Sequence, residues 1–238
     1  MKHPNIIKII CHDIGRHLGC YGVKSINSNA IDTLAKNGIL FKNSFATSPG
    51  CSPSRAAIAT GMYPHNTGVL GLAHAHFGWS LDKKINHIAK YFSKNGYSSI
   101  LFGLQHITYD EKSLGFKKIF PERPADKVLK NISKNIDNKI FKKPFYAEIN
   151  FFEPHRPFDY GGVKPDKSKG VYIPKYIPKN IYSRREFAEM QGAIKKMDDT
   201  VFKIINLLKK KNLYENTIIV FTTDHGIPFP RAKGTLYD

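Results

Sequence analysis

The chain has 238 residues, 41% of them hydrophobic and 24% charged, ordinary values for a soluble globular protein with one sizeable core or one domain plus part of another. No apolar run reaches the roughly 18 residues that span a bilayer, and the opening MKHPNIIKIICHD lacks the long apolar region and small-residue cleavage site of a signal peptide, so a cytoplasmic protein is expected. Lysine and arginine number 37 against 19 acids, a formal net charge of +18; that field favours polyanions, but the one dense run, Lys209-Lys210-Lys211, suits a helix end, and no specific nucleic-acid partner or membrane span is indicated.

In chain order, NIIKIIC (5–11) is a short β-branched run of the buried-strand type. AIDTLAKNG (30–38) reads as a helix ending at Gly38, and ILFKNSFA (39–46) reads as a second strand. KKINHIAKYFSKNG (83–96) spaces Ile85, Ile88, Ala89 and Phe92 as a helix does and stops at Gly96. YSSILFG and PFYAEINFF read as strands. Residues 156–183, rich in Pro, Gly, Tyr and Lys, predict a long loop, followed by a helix of roughly 25 residues from Arg184. TIIVFTTD (217–224) is a further strand. Strands alternating with helices predict an α/β sheet covered on both faces.

Polar residues gather where these strands end: His12 and Asp13, His106, Glu153 and His155, and Asp224 and His225. Ligands of open α/β sheets bind at the carboxyl ends of strands, so four segments deliver Asp or His to one rim. Three cysteines, Cys11, Cys20 and Cys51, cannot all pair and lack zinc-type spacing, so neither a disulfide scaffold nor a structural zinc site is expected.

Cys51-Ser52-Pro53-Ser54-Arg55, followed by AAIAT, reads as a helix start. Pro53 suits a first turn, the free N–H groups make an anion site, and Arg55 adds a planar fork of donors for sulfate or phosphate oxygens. A tyrosine-phosphatase loop needs five residues between Cys and Arg, so the three found here exclude it.

The same five residues resemble the sulfatase signature C-x-P-S-R. ATGMYPHNTGV (59–69), NIIKIICHDIGRHLGCYG, FGLQHI, FFEPHRPF and IIVFTTDHGIPFPRAKGTLYD are similar to that family's other segments, almost end to end; GVLGL, FFEPHRPF and DHGIPFP look most like its heparan N-sulfatase branch. The resemblance implies an alkaline-phosphatase-like α/β/α sandwich with a mostly parallel central sheet. It implies that residues 1–238 form the N-terminal catalytic domain, with a smaller C-terminal subdomain absent and apolar surface left exposed. It also implies hydrolysis of a sulfuric ester or sulfamate, on a sulfated small molecule or glycan. Phosphonate or phosphate ester hydrolysis and non-catalytic polyanion binding are the alternatives.

In the resembled family the cysteine, here Cys51, is oxidised to formylglycine by a formylglycine-generating enzyme, and the hydrated aldehyde attacks sulfur with one oxygen and expels sulfate with the other. Arg55 would stabilise charge, His106 would partner the nucleophile and His155 would protonate the leaving group. Asp13, Asp224, His225 and His12 would hold a divalent metal, Ca²⁺ by family habit. Two histidines in that set open the way to Mn²⁺ or Zn²⁺, with Mg²⁺ a further candidate. Lys233 would contact sulfate, with Gln105 and Arg231 beside it. The family's Gly-Lys-x-His appears here as Gly103-Leu104-Gln105-His106, and Leu104 cannot supply the lysine's charge. HAHF (74–77) is a candidate pocket wall.

Overall fold

The computed structural model describes residues 3–74, 76, 78–141 and 144–234. Its elements run β1 (Asn5–Cys11), α1 (Asn29–Asn37), α2 (Cys51–Thr60), α3 (Pro64–Thr67), α4 (Ile88–Lys94), β2 (Ser98–Gly103), β3 (Lys118–Phe120), α5 (Ala125–Asn135), β4 (Phe145–Asn150), α6 (Ile181–Lys210) and β5 (Thr217–Thr223). The strands form one sheet in the order β3-β2-β4-β1-β5. Every pairing is parallel, so all five strands end on the same rim.

Alternation along the strands sorts side chains onto two faces. Ile7, Ile9 and Cys11 of β1, Ile100 and Phe102 of β2, and Phe145, Ala147 and Ile149 of β4 pack with α1, α5 and α6. Leu101 and Tyr146 face the other way, against Ala56 and Ala59 of α2 and Ala89 of α4. Helices thus cover both faces, as the α/β/α reading requires.

Three elements depart from expectation. The helix expected from Arg184 starts at Ile181 and runs 30 residues. Its cap is Asn180, whose side chain accepts from the N–H groups of Tyr182 and Ser183, each at 3.0 Å; together with Ser183 this makes a capping box without Glu or Gln. The helix expected over 83–96 is confined to Ile88–Lys94, because His87 Nδ1 accepts from Ala89 N at 3.0 Å and starts it late.

ILFKNSFA is not a strand. It pairs with nothing in the sheet and exposes Ile39, Phe41 and Phe45 at 82%, 69% and 88%. Strand propensity alone gives no ladder; a strand needs a neighbour, and the described sheet offers this segment none. Edge strand β5 also leaves Ile218 and Val220 open to solvent.

Candidate active site

The site forms where β1 and β5 end beside the first turn of α2. Pairing of Cys11 with Thr223 brings the next residues of both strands together. Asp13 N then donates to Asp224 Oδ1 at 2.9 Å, and Gly15 N donates to the His225 carbonyl at 3.0 Å. Asp13 has a φ of 51° and His106 a φ of 64°, the left-handed region that non-glycine residues seldom occupy and that often marks functional positions. Gly103 closes β2 at a φ of 84°, and any Cβ there would lie 1.9 Å from the Asn150 carbonyl oxygen. No other residue type fits that turn.

Helix α2 brings Cys51 to this corner. Ser54 Oγ donates to the Asp224 carbonyl, and Ser52 Oγ accepts from Ala73 N at 2.9 Å, so the first turn is tied to β5 and to the following loop. Cys51 Sγ lies 3.3 Å from His225 Nε2 and 4.0 Å from Asp13 Oδ1. Burial, reinforced by Asp224 and Asp13, pushes its thiol up to about 12; it is a poor thiolate nucleophile as it stands.

Arg55 is buried and forked between two strands. Its Nε donates to Asp224 Oδ2 at 2.9 Å and its Nη1 to Asn150 Oδ1 at 3.3 Å. Its Nη2 is buried with no hydrogen-bond partner among the described residues, a donor left over for an anion. Burial alone would raise Asp224, but His12 and Arg55 hold it well below the usual carboxylate range.

Asp13, Asp224, His225 and His12 all lie at this corner. His225 Nε2 sits 3.1 Å from Asp13 Oδ1 and 3.6 Å from Asp224 Oδ1. Its Nδ1 lies 3.0 Å from the Gly226 carbonyl; with the proton there, Nε2 presents its lone pair to the corner. His12 is buried, with Nδ1 3.0 Å from Asp224 Oδ2 and Nε2 without a hydrogen-bond partner among the described residues. Burial and Arg55 push its imidazole down to about 4, against the pull of Asp224. Asp13, Asp224, His12 and Cys51 place one ligand atom each within 4.8 Å of one another, a group that could hold a divalent cation, with His225 beside it. Ca²⁺ prefers six to eight oxygens, whereas imidazole nitrogen is a donor that Mn²⁺ or Zn²⁺ takes more readily. Lys233 is here too, its Nζ 2.6 Å from Asp13 Oδ2.

A cleft of about 860 Å³ opens beside this corner, lined by His12, His74, Leu104, His106, Phe152 and His155, among others. His106 stacks on His74 with ring centroids 4.3 Å apart, so the HAHF segment does reach the cleft; its Ala75 and Phe77 lie outside the described residues. Burial, with His12 next, pushes His106 down to about 2. His155 places Nδ1 2.5 Å from the Arg156 carbonyl and Nε2 3.9 Å from Asp13 Oδ2, and burial lowers its pKa.

Three expected residues sit differently. Gln105 lines the cleft, but its amide is spent on its own loop: Nε2 donates to the Thr108 carbonyl at 2.6 Å, and Oε1 accepts from Ile107 N and Thr108 N. Arg231 lies over the Tyr176 ring at 5.6 Å. Glu153 turns to the start of α5, accepting from Ala125 N at 3.0 Å.

Sequence reasoning missed Asn150, which braces Arg55, and Glu148, whose Oε1 accepts from Asn150 Nδ2 at 3.0 Å. Lys8 Nζ in turn lies 2.8 Å from Glu148 Oε2. The signal was in the EIN of β4: two polar residues two apart share one face of a strand, and a buried acid there requires partners.

The Sulfatase family model matches residues 4–237. Human N-sulphoglucosamine sulphohydrolase is 26% identical over 98% of this chain and 52% of its own length. An ulvan-active sulfatase of Formosa agariphila is 29% identical over 95% and 45%. This chain thus spans about half the length of the curated relatives it matches. Among solved structures, a 2-O GAG sulfatase superposes with a TM-score of 0.72 at 22% identity, covering 94% of this chain and 58% of that one. The phosphonate monoester hydrolase of Agrobacterium radiobacter gives 0.71 at 18%, covering 94% and 62%; both likenesses concern the fold. With the family model running through every segment that builds this corner, the chain belongs to the sulfatase family.

Proposed function

We propose that this chain carries the site of a sulfuric-ester or sulfamate hydrolase whose nucleophile derives from Cys51. The observation behind this reading is the convergence on Cys51 Sγ of His225 at 3.3 Å and Asp13 at 4.0 Å, at the first residue of a helix. Oxidised to formylglycine and hydrated, residue 51 would supply a nucleophilic oxygen and an internal route for releasing sulfate. A divalent ion held by Asp13, Asp224, His225 and His12 would supply positive charge to the sulfate oxygens.

The chain's own groups do the rest. The first N–H groups of α2 and the unpaired Nη2 of Arg55 bind developing negative charge. Asp224 and Asn150 hold the guanidinium still. His155, with Nδ1 turned to the Arg156 carbonyl, presents Nε2 to the cleft, where it would act as a general acid in the doubly protonated state that nearby Asp13 favours against burial. Lys233, its Nζ 2.6 Å from Asp13 Oδ2, would be free to turn to a sulfate oxygen with Asp13 committed to a cation instead. The names of the relatives, which act on N-sulphoglucosamine and ulvan, support a sulfated glycan as substrate class, and maturation requires a formylglycine-generating enzyme.

Leu104, where the family carries lysine, favours a second reading as a phosphonate or phosphate ester hydrolase with a less cationic pocket. The test for both is the mass of the residue-51 peptide together with parallel rates on aryl sulfate, aryl phosphate and aryl phosphonate esters. Conversion with sulfate turnover supports the first reading. A higher phosphonate or phosphate rate selects the second. Heparin binding with no turnover in converted, metal-loaded protein overturns both.

A further inference from the structure

Two groups of metal-competent atoms meet at Cys51. One is His12, Asp13, Cys51 and Asp224, the corner described above. The other is His12, Cys51 and His106, whose ligand atoms all lie within 4.8 Å of one another. The second group contains no carboxylate. Its donors are one sulfur and two imidazole nitrogens, a borderline-to-soft set.

Several observations point that group at a ligand. His12 is 1% exposed; its Nδ1 sits 3.0 Å from Asp224 Oδ2, and its Nε2 has no hydrogen-bond partner among the described residues. His106 Nδ1 is likewise buried without one among the described residues, its Nε2 facing His74. Unsatisfied buried polar atoms are rare in folded proteins and mark missing partners. His74 stacks against His106 at 4.3 Å and places Nδ1 against its Nε2, so a third imidazole borders the group. The His106 backbone, at a φ of 64°, is held in a conformation seldom adopted without a reason.

We propose that the unmodified chain binds a zinc-class ion through Cys51 Sγ, one nitrogen of His12 and one nitrogen of His106, and that conversion of Cys51 removes this site. Zinc bonds of about 2.0–2.3 Å to nitrogen and sulfur require the three donors to draw in by something on the order of 1 Å. On binding, the Cys51 S–H bond breaks, an S–metal bond forms and the proton goes to solvent; nothing is oxidised or reduced. Once residue 51 is an aldehyde or its hydrate, sulfur is gone and only oxygen and nitrogen donors remain. The chemical state of residue 51 therefore selects the class of ion at this corner: sulfur-loving before conversion, oxygen-tolerant after it. This stands whether or not the mature chain hydrolyses sulfate, because it concerns the thiol form alone.

The test uses the 238-residue chain with Cys51 shown by mass spectrometry to be unconverted, titrated with Co²⁺ as a spectroscopic stand-in for Zn²⁺. Expected is a one-to-one complex with a near-ultraviolet sulfur-to-cobalt charge-transfer band, displaced by Zn²⁺. The band should vanish in Cys51→Ser and persist in Cys11→Ser and Cys20→Ser. Affinity should fall at least tenfold in His106→Asn, a change that tolerates the left-handed backbone at that position. Absence of the band in the wild-type chain would overturn the proposal without recourse to any variant. So would a band that survives Cys51→Ser, or wild-type affinity in His106→Asn with loss in Asp224→Asn, which would place the ion among the carboxylates.

Discussion

Arg55 Nε lies 2.9 Å from Asp224 Oδ2, with both side chains buried. The same guanidinium reaches Asn150 Oδ1 at 3.3 Å, so one residue of α2 bridges the ends of β5 and β4. A helix start is thereby locked onto two strands of the sheet, and Cys51, one turn earlier, inherits that placement. Removing the guanidinium leaves Asp224 charged, buried and short of a partner. Arg55→Ala should cost about 3–5 kcal/mol of stability, read as a fall in the urea midpoint. Arg55→Lys should keep more stability yet lose turnover, because a point charge cannot reproduce the fork. Equal stability and rate in Arg55→Lys would show that charge alone suffices.

Cys51→Ala should leave the fold intact, at a cost of about 1 kcal/mol for the small buried group, while abolishing hydrolysis. Cys11→Ser and Cys20→Ser should alter packing only, since neither thiol faces the corner. Circular dichroism, the residue-51 peptide mass and aryl sulfate rates settle this together. Full rates with alanine, or with an unconverted thiol, would refute the nucleophile.

Lys233 and a metal ion compete for Asp13, since the ammonium lies 2.6 Å from Oδ2. Lys233→Met should raise divalent-cation affinity several-fold by calorimetry, while lowering the rate on sulfate esters. Asp13→Asn should lower affinity by at least tenfold. Weaker cation binding in Lys233→Met would show that the lysine instead orients Asp13 for the ion.

His17 and His87 carry a pH dependence of stability that lies apart from the corner. Burial pushes each imidazole down to about 4, against about 6.5 in an unfolded chain. Between these values the unfolded chain binds protons that the folded chain refuses. Stability is therefore complete above pH 6.5 and is lost as the pH falls toward 4. At pH 5 each histidine should cost about 2 kcal/mol. The urea midpoint should drop between pH 7 and pH 5, and His17→Leu should recover part of the drop, because His17 Nε2 has no hydrogen-bond partner among the described residues to lose. An identical drop in the variant would contradict the assignment.

The sequence by itself determined the layers and the rim. β-branched runs at 5–11 and 217–223 and the apolar run at 98–103 can be buried in few ways, and a parallel sheet delivers their trailing Asp and His residues to one end. The C-x-P-S-R segment likewise carried its own helix start, because Pro53 and the small residues after Arg55 favour one local conformation. Local chemistry did not determine which polar residues face each other. Strand propensity in ILFKNSFA had no neighbour to satisfy it, and Gln105 turned its amide into its own loop. Asn150 became the brace for Arg55 only because β4 and α2 meet. His12 and Cys51 are 39 residues apart in the chain and Cys51 and His106 are 55 apart, with none of the short spacing by which metal sites announce themselves. Only the parallel register of β1 with β5, and the glycine turn that ends β2 against Asn150, brings a thiol and two buried imidazoles within reach of one ion.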